Sequence, residues 1–222
     1  MKKYLFKETS ATFLVDAQNG FTPLCPNELP VPGGDLIVAE CNRTFEKTGF
    51  KVASKDAHPH EAWWITEDRR LIATPVADKF SQTDLYWPRH CVVGTFGFEL
   101  IAGLPQMEEF DFLIYKGVEN NIHVYSAVYH LLKPNAIGDR ISTGVVEFFK
   151  ANRVDTIVIV GLATNYCCMS TALDLVDAGF RVIMNLGGCR GLGDTKPAIE
   201  KMEKSGVEFV NSADELEYVN AK

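Results

Sequence analysis

The chain of 222 residues lacks a long apolar run, a basic patch and a CxxC cysteine pair, and each absence narrows what it can do. No stretch reaches the roughly 18 apolar residues of a membrane span, and the apolar part of the opening "MKKYLFKETS" is too short for a secretory core. The expectation is a cytoplasmic protein with no membrane contact. Basic residues nowhere gather beyond short pairs such as Arg69-Arg70, and the formal charge is −7, so nothing marks a nucleic-acid surface. A small molecule is the expected partner. The six cysteines (25, 41, 91, 167, 168, 189) include no CxxC, which leaves thioredoxin-like and zinc-ribbon readings unsupported; reduced thiols are expected in a domain that needs no staples. There is no internal repeat and no low-complexity tract. With 46% hydrophobic residues, 1–222 reads as one well-cored domain, since at about 200 residues roughly 70% of the unfolded surface can be buried.

What is present is a series of short β-rich runs: "TFLVD" (12–16), "FKVASKD" (50–56), "FLIYKG" (112–117), "TIVIVG" (156–161), "FRVIMN" (180–185) and "VEFVN" (207–211). Several are almost continuously apolar, as strands covered on both faces are. Helical patterns lie between them: 34–47 aligns Val38, Cys41 and Phe45, 143–150 starts at a threonine cap, and Met169, Ala172, Leu173 and Val176 recur at helical spacing before Gly179. Strands alternating with helices predict a three-layer α/β/α domain around a mostly parallel six-stranded sheet. The stretch 59–111 fits neither period and predicts loops and short helices, a cap over a site.

In open α/β sheets the ligand binds beyond the carboxyl ends of the strands. Those ends deliver Asp16, then Lys55-Asp56-Ala57-His58, then Lys116, and through "GLATNY" Cys167. Cys167 falls at a helix start, where unpaired N–H groups favour the thiolate. Cys168, about 100° further round, shares a side with Ala172 and Leu175 and reads as core. The other cysteines read as buried and inert. Five histidines (58, 60, 90, 123, 130) allow a Cys–His pair. On an extended segment, however, Asp56 and His58 face one way, His60 continues the row, and His90 follows in the next loop, giving a set suited to zinc, iron or manganese. The alternative is that "DAHPHE" is an ordinary polar loop. If these histidines hold a metal, Asp16 is the remaining base, with Lys116 to hold it ionised.

Taken together, "VDAQNGF" (15–21), "KDAHP" (55–59), "WPRHCVVGTFG" (87–97), "YKG" (115–117), "GLATNYC" (161–167) and "CRGL" (189–192) resemble the ordered motifs of the isochorismatase-like cysteine hydrolases, and within them the nicotinamidase/pyrazinamidase branch. The resemblance implies a triad of Asp16, Lys116 and Cys167, an oxyanion hole from the backbone N–H groups of Ala163 and Cys167, and a cis peptide between Leu162 and Ala163. It implies one divalent transition metal, zinc first with iron or manganese as alternatives, on Asp56, His58 and His90. Phe21, Trp87 and Tyr125 match aromatic positions that sandwich a flat ring. The implied activity is hydrolysis of nicotinamide to nicotinate and ammonia through a cysteine thioester, and members of the family often form homo-oligomers.

The sequence also departs from the pattern. Ala57 stands where many relatives carry an aromatic, and "HPHEAWWITEDRR" offers His60 and Glu61, or water, as the further metal ligand. The loop 61–86 is longer than usual, and "NNIHVYSA" differs from the common acidic version, which leaves His123 as an expected surface residue. Rival readings are a metal-free hydrolase of the same superfamily acting on another amide, carbamoyl or enol-ether substrate, and a non-catalytic binding protein. Phosphate binding at "GGCRGLGD" (187–194) is a weaker rival, because its spacing is not GxGxxG and a plain turn explains it.

Overall fold

A computed structural model describes residues 2–76, 82–136 and 138–219. Among the described residues are eight strands: β1 (Lys3–Phe6), β2 (Ser10–Val15), β3 (Phe50–Asp56), β4 (Phe112–Lys116), β5 (Thr156–Leu162), β6 (Arg181–Arg190), β7 (Glu208–Val210) and β8 (Leu216–Val219). Four helices accompany them: α1 (Val38–Lys47), α2 (Val145–Ala151), α3 (Met169–Asp177) and α4 (Lys196–Lys204). Six strands form one wholly parallel sheet in the order β4-β3-β2-β5-β6-β7, while β1 and β8 make a separate parallel pair. No helix among the described residues is long and apolar enough to cross a membrane.

Alternating residues of the central strands feed two cores, which is why their sequences are apolar throughout. Phe13 and Val15 of β2, Val52 of β3 and Ile157 and Ile159 of β5 pack with Phe149 of α2, Ala172 and Leu175 of α3 and Met202 of α4. Leu14, Ala53, Val160 and Leu162 face the other way, onto Cys41 and Phe45 of α1. The result is the three-layer α/β/α arrangement. The small β1/β8 pair inserts Leu5 and Leu216 beside Val158 and Ile183.

Register brings the functional ends level. Val15 pairs with both Ser54 and Gly161, and Asp56 pairs with Lys116. Gly161 allows this closeness: at φ 132 its added Cβ would lie 2.0 Å from the Val15 carbonyl oxygen. The strand order puts β2 at the centre, so Asp16 is flanked by what β3 and β5 deliver.

Several local expectations change. Thr143 does not cap α2; Gly144 holds that position, and the Thr143 hydroxyl donates instead to the Ala127 and Val128 carbonyls. In α3 the fully buried line is Thr171, Ala172 and Leu175, with Met169, Leu173 and Val176 half-buried beside it. Residues 187–190 are neither turn nor phosphate loop, because β6 runs on through Arg190 after a register shift against β5. Between β3 and β4 the described residues hold only turns, isolated bridges and two short 3-10 turns, as the aperiodic sequence predicts; 77–81 lie outside the described residues.

Candidate active site

Three side chains meet beyond the carboxyl ends of the strands. Lys116, fully buried at the end of β4, sets its Nζ 3.0 Å from Asp16 Oδ2 and 3.6 Å from Cys167 Sγ. The same ammonium donates to Asp56 Oδ1 and, at 3.1 Å, to the Val124 carbonyl. Asp16 stands just past β2 with φ 45, a conformation costly for any residue but glycine, asparagine or aspartate, and this turns its carboxylate into the site. Its Oδ1 accepts 2.7 Å from Ser54 Oγ. One oxygen each of Asp16 and Asp56 lies with Cys167 Sγ inside a mutual span of 4.8 Å.

Cys167 lies ahead of a helix, as the sequence predicts, but not in the thiolate state expected there. It sits in a single π-helical turn, Thr164–Cys168, ahead of α3, and burial pushes its thiol well above the ordinary range, with Asp16 and Asp56 pushing the same way and Lys116 against them. The residue at rest is a thiol beside a base. Burial likewise raises Asp16, to about 6, against the opposing pull of Lys116. Lys116 is held firmly protonated: burial disfavours its charge, and Asp16 and Asp56 outweigh that. Cys168 is wholly buried in the core with Ala172 and Leu175, as its helical phase predicts.

The second half of the site is a nest of imidazoles. His58 Nδ1 lies 3.0 Å from the Gly117 carbonyl and His90 Nδ1 2.7 Å from the Pro88 carbonyl, which leaves each Nε2 facing inward. Gly117 gives the first ring its room: at φ 68, an added Cβ would stand 2.5 Å from His58 Cε1. His58 Nε2 is buried, has no hydrogen-bond partner, and lies 3.5 Å from Asp56 Oδ2. Asp56 thus links the two halves, one oxygen toward Lys116 and the other toward His58. Although burial alone would raise it, Lys116 and His58 hold its carboxyl well below the usual range. Burial, reinforced by His58, holds His90 down to about 3, a neutral ring. Imidazoles braced by carbonyls at Nδ1, plus a carboxylate oxygen, fit a borderline divalent metal.

Two histidines change places relative to expectation. His60 is exposed and away from the cluster; its carbonyl accepts from Arg89 Nε at 2.8 Å. The chain turns outward at Pro59, so the extended row stops at His58. His123, expected at the surface, is buried among the other rings and forms a close triple with His58 and His90. Lys55 alternates away from the site, its Nζ 3.6 Å from the Phe98 ring centre and 3.7 Å from Glu99 Oε2.

Between the two halves opens a small, mostly apolar pocket lined by Phe21, Trp87, Tyr125, Tyr166, His90 and Cys167 among others. Trp87 Nε1 donates to Tyr125 Oη at 3.0 Å, and Tyr125 donates to Asp84 Oδ1 at 2.8 Å. Ala163, joined to Leu162 by a cis peptide, lines the same pocket as Cys167. Ser54, Gln18, Asp84 and Tyr166 were not signalled as site residues. Gln18 sits inside the first motif, and its amide brackets Asp56, accepting from its N–H at 2.7 Å and donating to its carbonyl at 2.8 Å.

The sequence profile described as Isochorismatase domain matches residues 10–214. The nicotinamidase of Acinetobacter baylyi is 32% identical over 212 residues, 91% of this chain and 92% of that protein. Among solved structures, the Acinetobacter baumannii nicotinamidase/pyrazinamidase superposes with a TM-score of 0.80 at 29% identity, covering 93% of this chain and 98% of that one. The Pyrococcus horikoshii pyrazinamidase in complex with zinc superposes with a TM-score of 0.69 at 29% identity, covering 91% and 98%.

Proposed function

Because the chain belongs to the isochorismatase family, we propose that it is a nicotinamidase, hydrolysing nicotinamide to nicotinate and ammonia with Cys167 as nucleophile. The observation that carries this is the buried Lys116 ammonium touching both Asp16 and Cys167, the cysteine itself lining an aromatic pocket.

An amide is a weak electrophile with a poor leaving group, so hydrolysis needs an activated nucleophile, a site for the oxyanion and a proton for the amine. Asp16 removes the Cys167 thiol proton, and Sγ attacks the carboxamide carbon. The backbone N–H groups of Ala163 and Cys167 receive the oxyanion. As the C–N bond breaks, the same proton passes from Asp16 to the leaving nitrogen, releasing ammonia and leaving a Cys167 thioester. Water then enters, gives a proton to Asp16 and attacks the thioester carbon; Cys167 takes that proton back, and the acid departs, losing its remaining proton to solvent to give nicotinate. Lys116 stays charged throughout, balancing the charge of Asp16 and of the sulfur.

Phe21, Trp87 and Tyr125 bind the pyridine ring by its faces and edges. Asp56, His58 and His90 would hold a divalent transition metal, zinc by preference, as borne by the P. horikoshii relative. Such an ion supplies a fixed Lewis acid for the ring nitrogen, a positioning role. The metal-free alternative leaves His58 Nε2 buried with nothing to satisfy it.

The direct test is ammonia release from nicotinamide by metal-replete and chelator-treated protein. Turnover that falls with chelation and returns with zinc supports the reading. No ammonia from the metal-replete protein, with nicotinamide or with pyrazinamide, would overturn it.

A further inference from the structure

We propose that His123 is a third imidazole ligand of this metal site, so that the chain grips its cation with three histidines and Asp56. The proposal rests on the metal reading above and extends it to a residue from the far side of the cleft.

His123 is 3% exposed, and its Nδ1 is buried without a hydrogen-bond partner. One ring nitrogen from each of His58, His90 and His123 falls within 4.8 Å of the others, close to the reach of two metal–nitrogen bonds of about 2.1 Å. Two of the three rings, His58 and His123, each leave a buried nitrogen unsatisfied. Unpartnered buried polar atoms are rare, and two that converge point to a common ligand. Packing has already fixed the ring's place. Trp64 lies 4.4 Å away centre to centre, His58 stacks at 5.4 Å and 27°, and Tyr125 stands edge-on at 5.0 Å.

The backbone is fixed as well. His123 N–H donates to the Gln82 carbonyl at 2.8 Å, and two residues on, Tyr125 Oη is tied to Asp84. The segment 82–87 therefore braces both His123 and the pocket wall. Three imidazole nitrogens and one carboxylate oxygen make a donor set for zinc, cobalt or ferrous iron, with positions left for water and substrate.

The test uses purified full-length protein and four variants: His123→Ala, His123→Gln to fill the hole should the alanine variant fold poorly, His58→Ala, and His60→Ala as an outside control. Zinc affinity is measured by competition with a chromophoric chelator, and the visible spectrum of the cobalt-loaded protein reports the donor set. Expected results are a loss of zinc affinity of at least about tenfold for His123→Ala and His123→Gln, since even outer-shell changes reach that size. The cobalt bands should also change in both, with His60→Ala unchanged. If His58→Ala loses zinc while both His123 variants bind it with full affinity and an unaltered cobalt spectrum, this proposal fails and the metal reading stands. If His58→Ala also keeps full affinity, the metal reading itself fails.

Discussion

The two ends of the parallel sheet treat charge in opposite ways. At the amino end, Arg181 at the start of β6 pairs with Glu208 of β7 at 2.7 Å, and Lys3 of β1 reaches the same carboxylate at 2.7 Å, all of them part-exposed. At the carboxyl end, Asp16, Asp56 and Lys116 are wholly or almost wholly buried. A surface pair is screened by water and contributes at most about 1 kcal/mol. A buried set is costly to assemble, and each member is indispensable to the others, because removing one strands its partners. Closeness of charges is common to both ends; exclusion of water distinguishes the one that holds the candidate site.

The largest expected effect separates the two adjacent cysteines. Cys167→Ala should abolish nicotinamide turnover, by about 10⁴-fold or more, with metal content unchanged. Cys168→Ala, which only thins the core, should keep much of the rate. Ammonia release and metal analysis on both variants decide this, and equal losses from the two would remove Cys167 as nucleophile.

Next in size is the buried ammonium. Lys116→Met should end activity and destabilise the fold by about 3–5 kcal/mol, the usual consequence of stripping one partner from a buried ionic set. In a chain of this size each kcal/mol lowers Tm by roughly 2–4 °C. A melting scan showing no more change than at the amino-end pair would break the contrast between the two ends.

A smaller effect is expected at the pocket wall. Asp84 accepts from Tyr125, whose hydroxyl also receives Trp87 Nε1, and burial together with Asp84 keeps that phenol firmly protonated. Asp84→Ala should loosen the wall and raise KM roughly two- to tenfold, the worth of one hydrogen bond, with kcat little altered. Steady-state kinetics with an unchanged KM would mean that ring packing alone holds the wall.

The same contrast explains what the sequence made legible. The six sheet strands stand out because strands covered on both faces must be apolar along their length, and the reactive groups stand out because they follow those strands directly. Asp16, Lys116, Cys167, Asp56 and His58 could all be read that way, whereas His90 lies within the long connection between β3 and β4 and was legible only through its motif. The β1/β8 pair could not: "KYLF" and "LEYV" are short and half exposed, and their partners are 213 positions apart at Lys3 and Leu216. Helix α4 had a signal, Pro197 near its start and Ala198 and Met202 one turn apart on a buried face, but nine residues leave little periodicity to detect. Ser54, Asp84 and His123 act through neighbours distant in sequence. No spacing rule reveals that Gln82 anchors His123 or that Trp64 covers it. His60 departs from the extended row because the chain turns to solvent at Pro59, a change of direction that residue spacing does not encode.

The smallest expected effect is at the amino end itself. Hydrogen bonds from Arg181, then from Lys3, hold the Glu208 carboxyl down to about 2, below the roughly 4.3 of an unfolded chain. A depressed carboxylate contributes stability that is complete above the unfolded value and is lost as pH falls toward the folded one. Glu208→Gln should therefore lower stability at pH 7 by less than about 1 kcal/mol, discounted because the group is part-exposed. The gap between variant and parent should narrow from about pH 4.3 downward and be nearly gone near pH 2. Salt should shrink it too, since exposed pairs are screened within about 10 Å at 0.1 M. Denaturant titrations at three pH values and two salt concentrations measure this. A gap independent of both would mean that Glu208 acts through packing, and that the amino end resembles the carboxyl end more than its exposure suggests.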